Sequence, residues 1–121
     1  SIIRLTNSYG CPRDRDTSKW YLALNDLSRQ AYEEGQLTLL GNGKALRDFI
    51  WMGDVVRTLH GLLLTEPANE VFNLSSEKSV SILEMAKLVQ AAFEDWSGKI
   101  IKIKINGMNC ANPCPLMQKE I

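Results

Sequence analysis

The stretch Gly41-Asn42-Gly43-Lys44-Ala45-Leu46-Arg47-Asp48-Phe49-Ile50-Trp51-Met52-Gly53-Asp54 joins a glycine turn, an arginine on an apolar run and an acidic residue ahead of an amphipathic segment. A guanidinium presents a planar fork of donors that suits phosphate oxygens, and a strand beside a turn can hold that fork steady. Arg47 is therefore the first candidate for binding a phosphate-bearing ligand. The competing reading is a surface pair with Asp48. Neighbours in a strand point to opposite faces, which makes that pair awkward. Asn7 is a second candidate. It follows the apolar run of residues 2–6, and its side-chain amide carries both a donor and an acceptor, so it could hold a diphosphate or a sugar hydroxyl without adding charge. Its plainer reading is an Asx turn that ends the strand.

Other residues look chemical and read better as structure. Gly41-Asn42-Gly43 lies between two apolar runs with no helix directly after it to supply a dipole, so a tight turn is expected rather than a phosphate loop, with Lys44 solvated. Asp54 stands where an N-cap residue would, ahead of Val55, Val56, Leu59, Leu62 and Leu63, and a cap is expected in preference to a general base. Trp20, Trp51 and Trp96 are expected in the core, although Trp51 and Phe49 should share the face of Arg47 and could border a nucleobase.

The elements that must position these residues alternate along the chain. Residues 2–6 form a β-rich run that ends in Asn7-Ser8-Tyr9-Gly10-Cys11-Pro12, and a polar loop, Arg13-Asp14-Arg15-Asp16, follows. Thr17 or Ser18 can cap a helix bearing Trp20, Ala23, Leu24, Leu27 and Ala31, with Gly35 as its stop. Short strands are expected at residues 37–40, 46–51 and 71–74. The helix after Asp54 should stop near Glu66-Pro67. Ser81-Ile82-Leu83-Glu84 has the spacing of a capping box, and it opens a helix with Ile82, Met85, Ala86, Val89, Ala92, Phe93 and Trp96 on one stripe, ended by Gly98. Residues 99–105 alternate, with Ile101, Ile103 and Ile105 on one face and Lys102 and Lys104 on the other.

Composition narrows the class. With 121 residues and 45% hydrophobic content, the chain can build one core but is short for a complete dinucleotide enzyme. Fourteen basic and fourteen acidic side chains give a net charge of zero, so no broad field attracts nucleic acid or anionic lipid, and any anion site must be local. No apolar run reaches the roughly 20 residues of a membrane span, and the cytosol is the expected compartment. Cys11, Cys110 and Cys114 are too few and too odd for a disulfide framework. Cys110-Ala-Asn-Pro-Cys114 lacks the further ligands of a zinc site, so free thiols are expected and no metal.

Three segments in order, Arg4-Leu5-Thr6-Asn7-Ser8-Tyr9-Gly10, Arg47-Asp48-Phe49, and Val71-Phe72-Asn73-Leu74-Ser75 running into Ser79-Val80-Ser81-Ile82, resemble the C-terminal half of the extended short-chain dehydrogenase/reductase family, the NAD-dependent epimerases and dehydratases of nucleotide sugars. The resemblance covers residues 2–105. It implies an α/β, Rossmann-type architecture with three main helices and short strands. It also implies that Asn7 contacts a nucleotide sugar, that Arg47 reaches its diphosphate or ribose, and that Asn73 and Ser75 lie near the sugar cleft. It suggests that the Arg13 to Asp16 loop folds over the substrate.

NAD is the cofactor of the family, but neither its glycine-rich dinucleotide turn nor its Tyr/Lys pair four residues apart occurs here: Tyr9, Tyr21 and Tyr32 are followed by Arg13, Asn25 and Gln36. The chain is thus expected to be a fragment beginning after the family's catalytic helix, with a nucleotide-sugar-binding part over residues 1–105 and an irregular tail over 106–121. It should bind a nucleotide sugar, be inactive alone, and form a homo-oligomer through exposed strand edges. The alternative is a non-enzymatic nucleotide-sugar-binding or assembly module.

Overall fold

The computed structural model describes residues 1–106, so Cys110 and Cys114 and all but the first residue of the expected tail lie outside the described residues. The chain is α/β. Its strands are β1 (Ile2–Leu5), β2 (Asn7–Tyr9), β3 (Gln36–Leu40), β4 (Leu46–Trp51), β5 (Val71–Leu74), β6 (Ser79–Ser81) and β7 (Lys102–Asn106), and its helices are α1 (Ala23–Glu33), α2 (Met52–Leu63) and α3 (Ile82–Ser97). The strands form three small sheets. β1 runs parallel to β5, β3 parallel to β7, and β4 lies between parallel β2 and antiparallel β6.

The core forms where α1 and α3 cover the β3–β7 pair. Leu27 and Ala31 from α1, Leu37 and Leu39 from β3, Ala86 from α3, and Ile101 just ahead of β7 are buried together, with Ile82, Leu83, Val89, Phe93 and Ile103 packed against them. The alternation read in residues 99–105 holds on the inner side for Ile101 and Ile103, whereas Ile105, nearer the strand end, is exposed. A smaller group, Phe49, Ile50 and Val55, is buried where α2 begins.

Several local signals act as their chemistry requires. Ser81 and Glu84 form a reciprocal capping box: the Glu84 amide donates to Ser81 Oγ at 3.1 Å and the Ser81 amide donates to Glu84 Oε2 at 2.7 Å. These donors, the Ser81 amide first, hold the Glu84 carboxyl below its ordinary pKa. Gly98 ends α3 in the left-handed region at φ 69°, and Gly35 follows α1 at φ 66°.

Four expectations are corrected. The helix expected from Thr17 is divided: Thr17 caps a short 3-10 helix, Ser18–Tyr21, and extended backbone at Leu22, with ψ 140°, separates it from α1. Asp54 is not an N-cap, because α2 starts at Met52 with Trp51 at the cap position, and Asp54 in the first turn pairs with Arg57 at 3.0 Å. Trp96 is not in the core: it is 72% exposed, with its ring 5.8 Å from Phe93 and 6.5 Å from Tyr32, centroid to centroid. Trp51 is likewise exposed, since it stands at the end of β4 where the chain turns into α2. Most of the apolar face of α2 is also uncovered among the described residues; only Val55 is buried. No helix among them is long and apolar enough to cross a membrane.

Candidate functional site

β4 organises the region singled out in the sequence. Its parallel pairing with β2 sets Asn7 opposite Phe49, Ser8 opposite Ile50 and Tyr9 opposite Trp51. Its antiparallel pairing with β6 sets Arg47 opposite Val80 and Asp48 opposite Ser79. Asn7 is exposed at the start of β2, and its Nδ2 donates to the Asp48 carbonyl at 3.2 Å. The side chain therefore bridges strands instead of closing an Asx turn. Arg47 is exposed and donates from Nη1 to the Leu46 carbonyl at 2.8 Å, which leaves its other guanidinium donors available. Asn73 is exposed on β5, opposite Arg4 of β1.

Ser75, half-buried just after β5, borders a cavity of about 480 Å³ with Tyr9, Trp51, Asp54, Arg57 and Ser76. Phe49 also lines it, so the aromatic border expected from Phe49 and Trp51 is present. Asn7, Arg47 and Asn73 do not line this cavity. Of the four residues singled out for binding, Asn7 and Ser75 follow the carboxyl ends of β1 and β5 and Asn73 lies on β5, whereas Arg47 stands near the amino end of β4; they form a sector rather than one closed pocket. A larger hollow of about 1040 Å³ lies between the 15–18 loop, the 3-10 helix and α1. It carries none of those four residues. Its Arg29 is already engaged by Asp26 at 2.6 Å and Glu33 at 2.9 Å, with Glu34 at 3.7 Å, and these bonds, Asp26 first, raise the guanidinium pKa. A cation so neutralised attracts an added anion weakly, and the site is placed at the β4 sector.

Asp48 is the residue that sequence reasoning passed over. Its carboxylate accepts from Thr6 Oγ1 at 2.8 Å, from the Ser76 amide and hydroxyl at 2.9 Å each, and from the Lys78 amide at 3.1 Å. Partial burial alone would push its pKa up. The donors, the Ser76 amide foremost, outweigh that and hold it below the ordinary value. These partners lie far from Asp48 in sequence, so no local pattern announces them. Arg57 was legible: it stands three residues after Asp54, the spacing of a helical ion pair. Buried Asn25 was missed as well. It accepts from the Gly10 amide at 3.2 Å and donates to the Lys19 carbonyl at 3.0 Å, fastening both ends of the 11–18 loop.

The glycine turn is structural. Gly43 is buried at φ 69°, and a Cβ placed on it would lie 3.0 Å from Leu83 Cβ and 3.2 Å from Leu39 Cδ1. The Leu83 amide donates to the Gly43 carbonyl and the Ile82 amide to the Ala45 carbonyl, both at 3.0 Å, so the turn satisfies the first amides of α3. The Gly43 side of the turn thus packs against protein and leaves no room there for a dinucleotide.

The chain belongs to the NAD dependent epimerase/dehydratase family, whose model matches residues 1–75. It is 34% identical over 94 residues to dTDP-L-rhamnose 4-epimerase of Burkholderia thailandensis, covering 77% of this chain and 26% of that protein. It is 31% identical over 93 residues to UDP-glucuronic acid decarboxylase 4 of Arabidopsis thaliana, covering 77% of this chain and 20% of that protein. Among solved structures it is similar to the UDP-glucuronic acid 4-epimerase of Bacillus cereus in complex with UDP-glucuronic acid and NAD, with a TM-score of 0.66 and 30% identity, over 88% of this chain and 32% of that one. The chain thus spans about a fifth to a third of the length of these relatives.

Proposed function

We propose that this chain is the nucleotide-sugar-binding part of an NAD-dependent epimerase or dehydratase, and that hydride and proton transfer belong to parts of such a protein beyond this C-terminal portion. The observation that carries the reading is that Asn7 and Ser75 follow the carboxyl ends of the parallel strands β1 and β5, with an aromatic-lined cavity beside Ser75 and with Arg47 on β4, the strand to which the Asn7 side chain is bonded. In open α/β sheets, ligands lie beyond those ends. Arg47 supplies charge and a donor fork for a diphosphate, Asn7 supplies a neutral donor to the same group, Ser75 and Tyr9 offer hydroxyls to the sugar, and Trp51 or Phe49 offers a ring face. Asn73 supports the strand end from β5. Family membership and the nucleotide sugar held by the Bacillus cereus relative support this assignment.

Calorimetric titration of the full chain with UDP-glucuronic acid, and with a dTDP sugar for comparison, tests it. Arg47→Ala should weaken binding by roughly 1.5 to 3 kcal/mol, the scale of a charged hydrogen bond, with folding unchanged. Equal affinity in the variant, or no binding by the parent chain at about millimolar ligand (about −4 kcal/mol), would overturn the reading.

A further inference from the structure

We infer that Asp48 is a positioning residue, whose carboxylate holds residues 75–78 in the conformation that brings Ser75 and Ser76 to the rim of the cavity. Its consequence for ligand rests on the binding function proposed above; its geometry does not.

Two separate pieces of chain meet on this one side chain of a third. Thr6 reaches it from the junction of β1 and β2, while Ser76 and Lys78 reach it from the loop between β5 and β6. The residue between those two donors, Glu77, has φ 62°. Side-chain-bearing residues seldom adopt that left-handed region. Two amides converging on an anion around a left-handed residue form an anion-holding nest, and here the anion comes from the protein. The loop does not favour this shape by itself, since it contains no glycine to ease the turn. Ser75 and Ser76 line the cavity beside Tyr9 and Arg57, so the loop's position sets the cavity's edge. The strand that presents Arg47 on one face therefore anchors the rim from the other, and the Arg-Asp dipeptide divides ligand contact from loop placement.

The test is amide hydrogen exchange by NMR on the full chain, with Asp48→Asn as the variant. Asparagine keeps one acceptor oxygen but turns an NH2 group toward donors. In the unsubstituted chain, the Ser76 and Lys78 amides should exchange about tenfold or more slowly than the intervening Glu77 amide. In Asp48→Asn that difference should vanish, and the Glu77 backbone shifts and HN–Hα coupling should leave the left-handed range, while the Leu37 and Leu39 amides stay protected. Equal exchange of the three loop amides in the unsubstituted chain would overturn the proposal even if the variant failed to fold. So would unchanged protection in the variant.

In a titration with UDP-glucuronic acid, the variant should bind about tenfold more weakly with Arg47 intact, about the effect of one hydrogen bond. Full affinity with a released loop would overturn the positioning role. No binding by the unsubstituted chain would count against the proposed function instead, and the exchange result would still decide whether Asp48 holds the loop.

Discussion

Arg47 and Asp48 are neighbours in β4 that form no pair with each other: the guanidinium donates to the Leu46 carbonyl at 2.8 Å, while the carboxylate gathers Thr6, Ser76 and Lys78. Strand alternation separates them, and the surface ion pair that competes with a binding role for Arg47 is not made. The consequence is chemical independence. Removing Arg47 takes a cation from the ligand side, whereas removing Asp48 takes an anchor from the fold.

That independence gives a pH prediction. Asp48 is held below its ordinary pKa in the fold, so folding favours its charged form. The stability this contributes is fully present above the unfolded value, about 4, and is lost as pH falls through the lower folded value. Urea denaturation of the full chain should show stability falling on acidification through and below that range. In Asp48→Asn part of this fall should be missing. Glu84 is shifted in the same direction and continues to titrate in both proteins, so the difference between the two curves reports Asp48. Parallel curves would show that the four donors do not act on the carboxylate as described.

The glycine turn supports a comparison of two substitutions. Gly41 has φ 92° with nothing within 4 Å of an added Cβ, whereas Gly43 combines φ 69° with close approach to Leu83 and Leu39. Gly41→Ala should cost about 1–2 kcal/mol for the backbone alone. Gly43→Ala should cost roughly 1–3 kcal/mol more, because the methyl also overpacks the core. Denaturant midpoints would check this, and equal losses would mean that the contact with α3 relaxes freely.

The capping box gives a local prediction. Ser81→Ala removes the acceptor for the Glu84 amide and should cost about 1 kcal/mol, while Ser81→Asp should retain most of the stability because Asp is also a good N-cap. A thermal or urea melt of each variant is sufficient. Ala and Asp variants of equal stability would show that packing of α3, rather than its cap, fixes the helix start.

How much could be read in advance follows from the range of each interaction. The Ser81–Glu84 box, the left-handed Gly35 and Gly98 and the limits of β4 and β5 were legible because their causes lie within a few residues. The family could be read from the ordered segments around Asn7, Arg47 and Asn73. The role of Asp48 was not legible, because Thr6, Ser76 and Lys78 approach it only after three strands have paired. Asp54 misled because a good capping residue three positions into a helix looks like one at its start, and the Arg57 pair that explains it was not weighed. Trp96 misled because a continuous apolar stripe does not show how far along α3 the rest of the chain reaches.

The last prediction concerns surface that the described residues leave uncovered. Within them β1 pairs with β5 alone, so its other edge offers unpaired backbone groups. Ile2 is 62% exposed on that strand, and Leu63 and Leu64 at the end of α2 are 83% and 76% exposed. An open strand edge and exposed apolar side chains each favour association, and a second copy of the chain can cover them. We expect the isolated chain to form a homodimer, seen as a concentration-dependent mass in light scattering over a dilution series. Leu63→Glu should shift it toward monomer without destabilising the fold, because the side chain is 83% exposed among the described residues. A folded monomer at every concentration would show that this surface does not drive self-association.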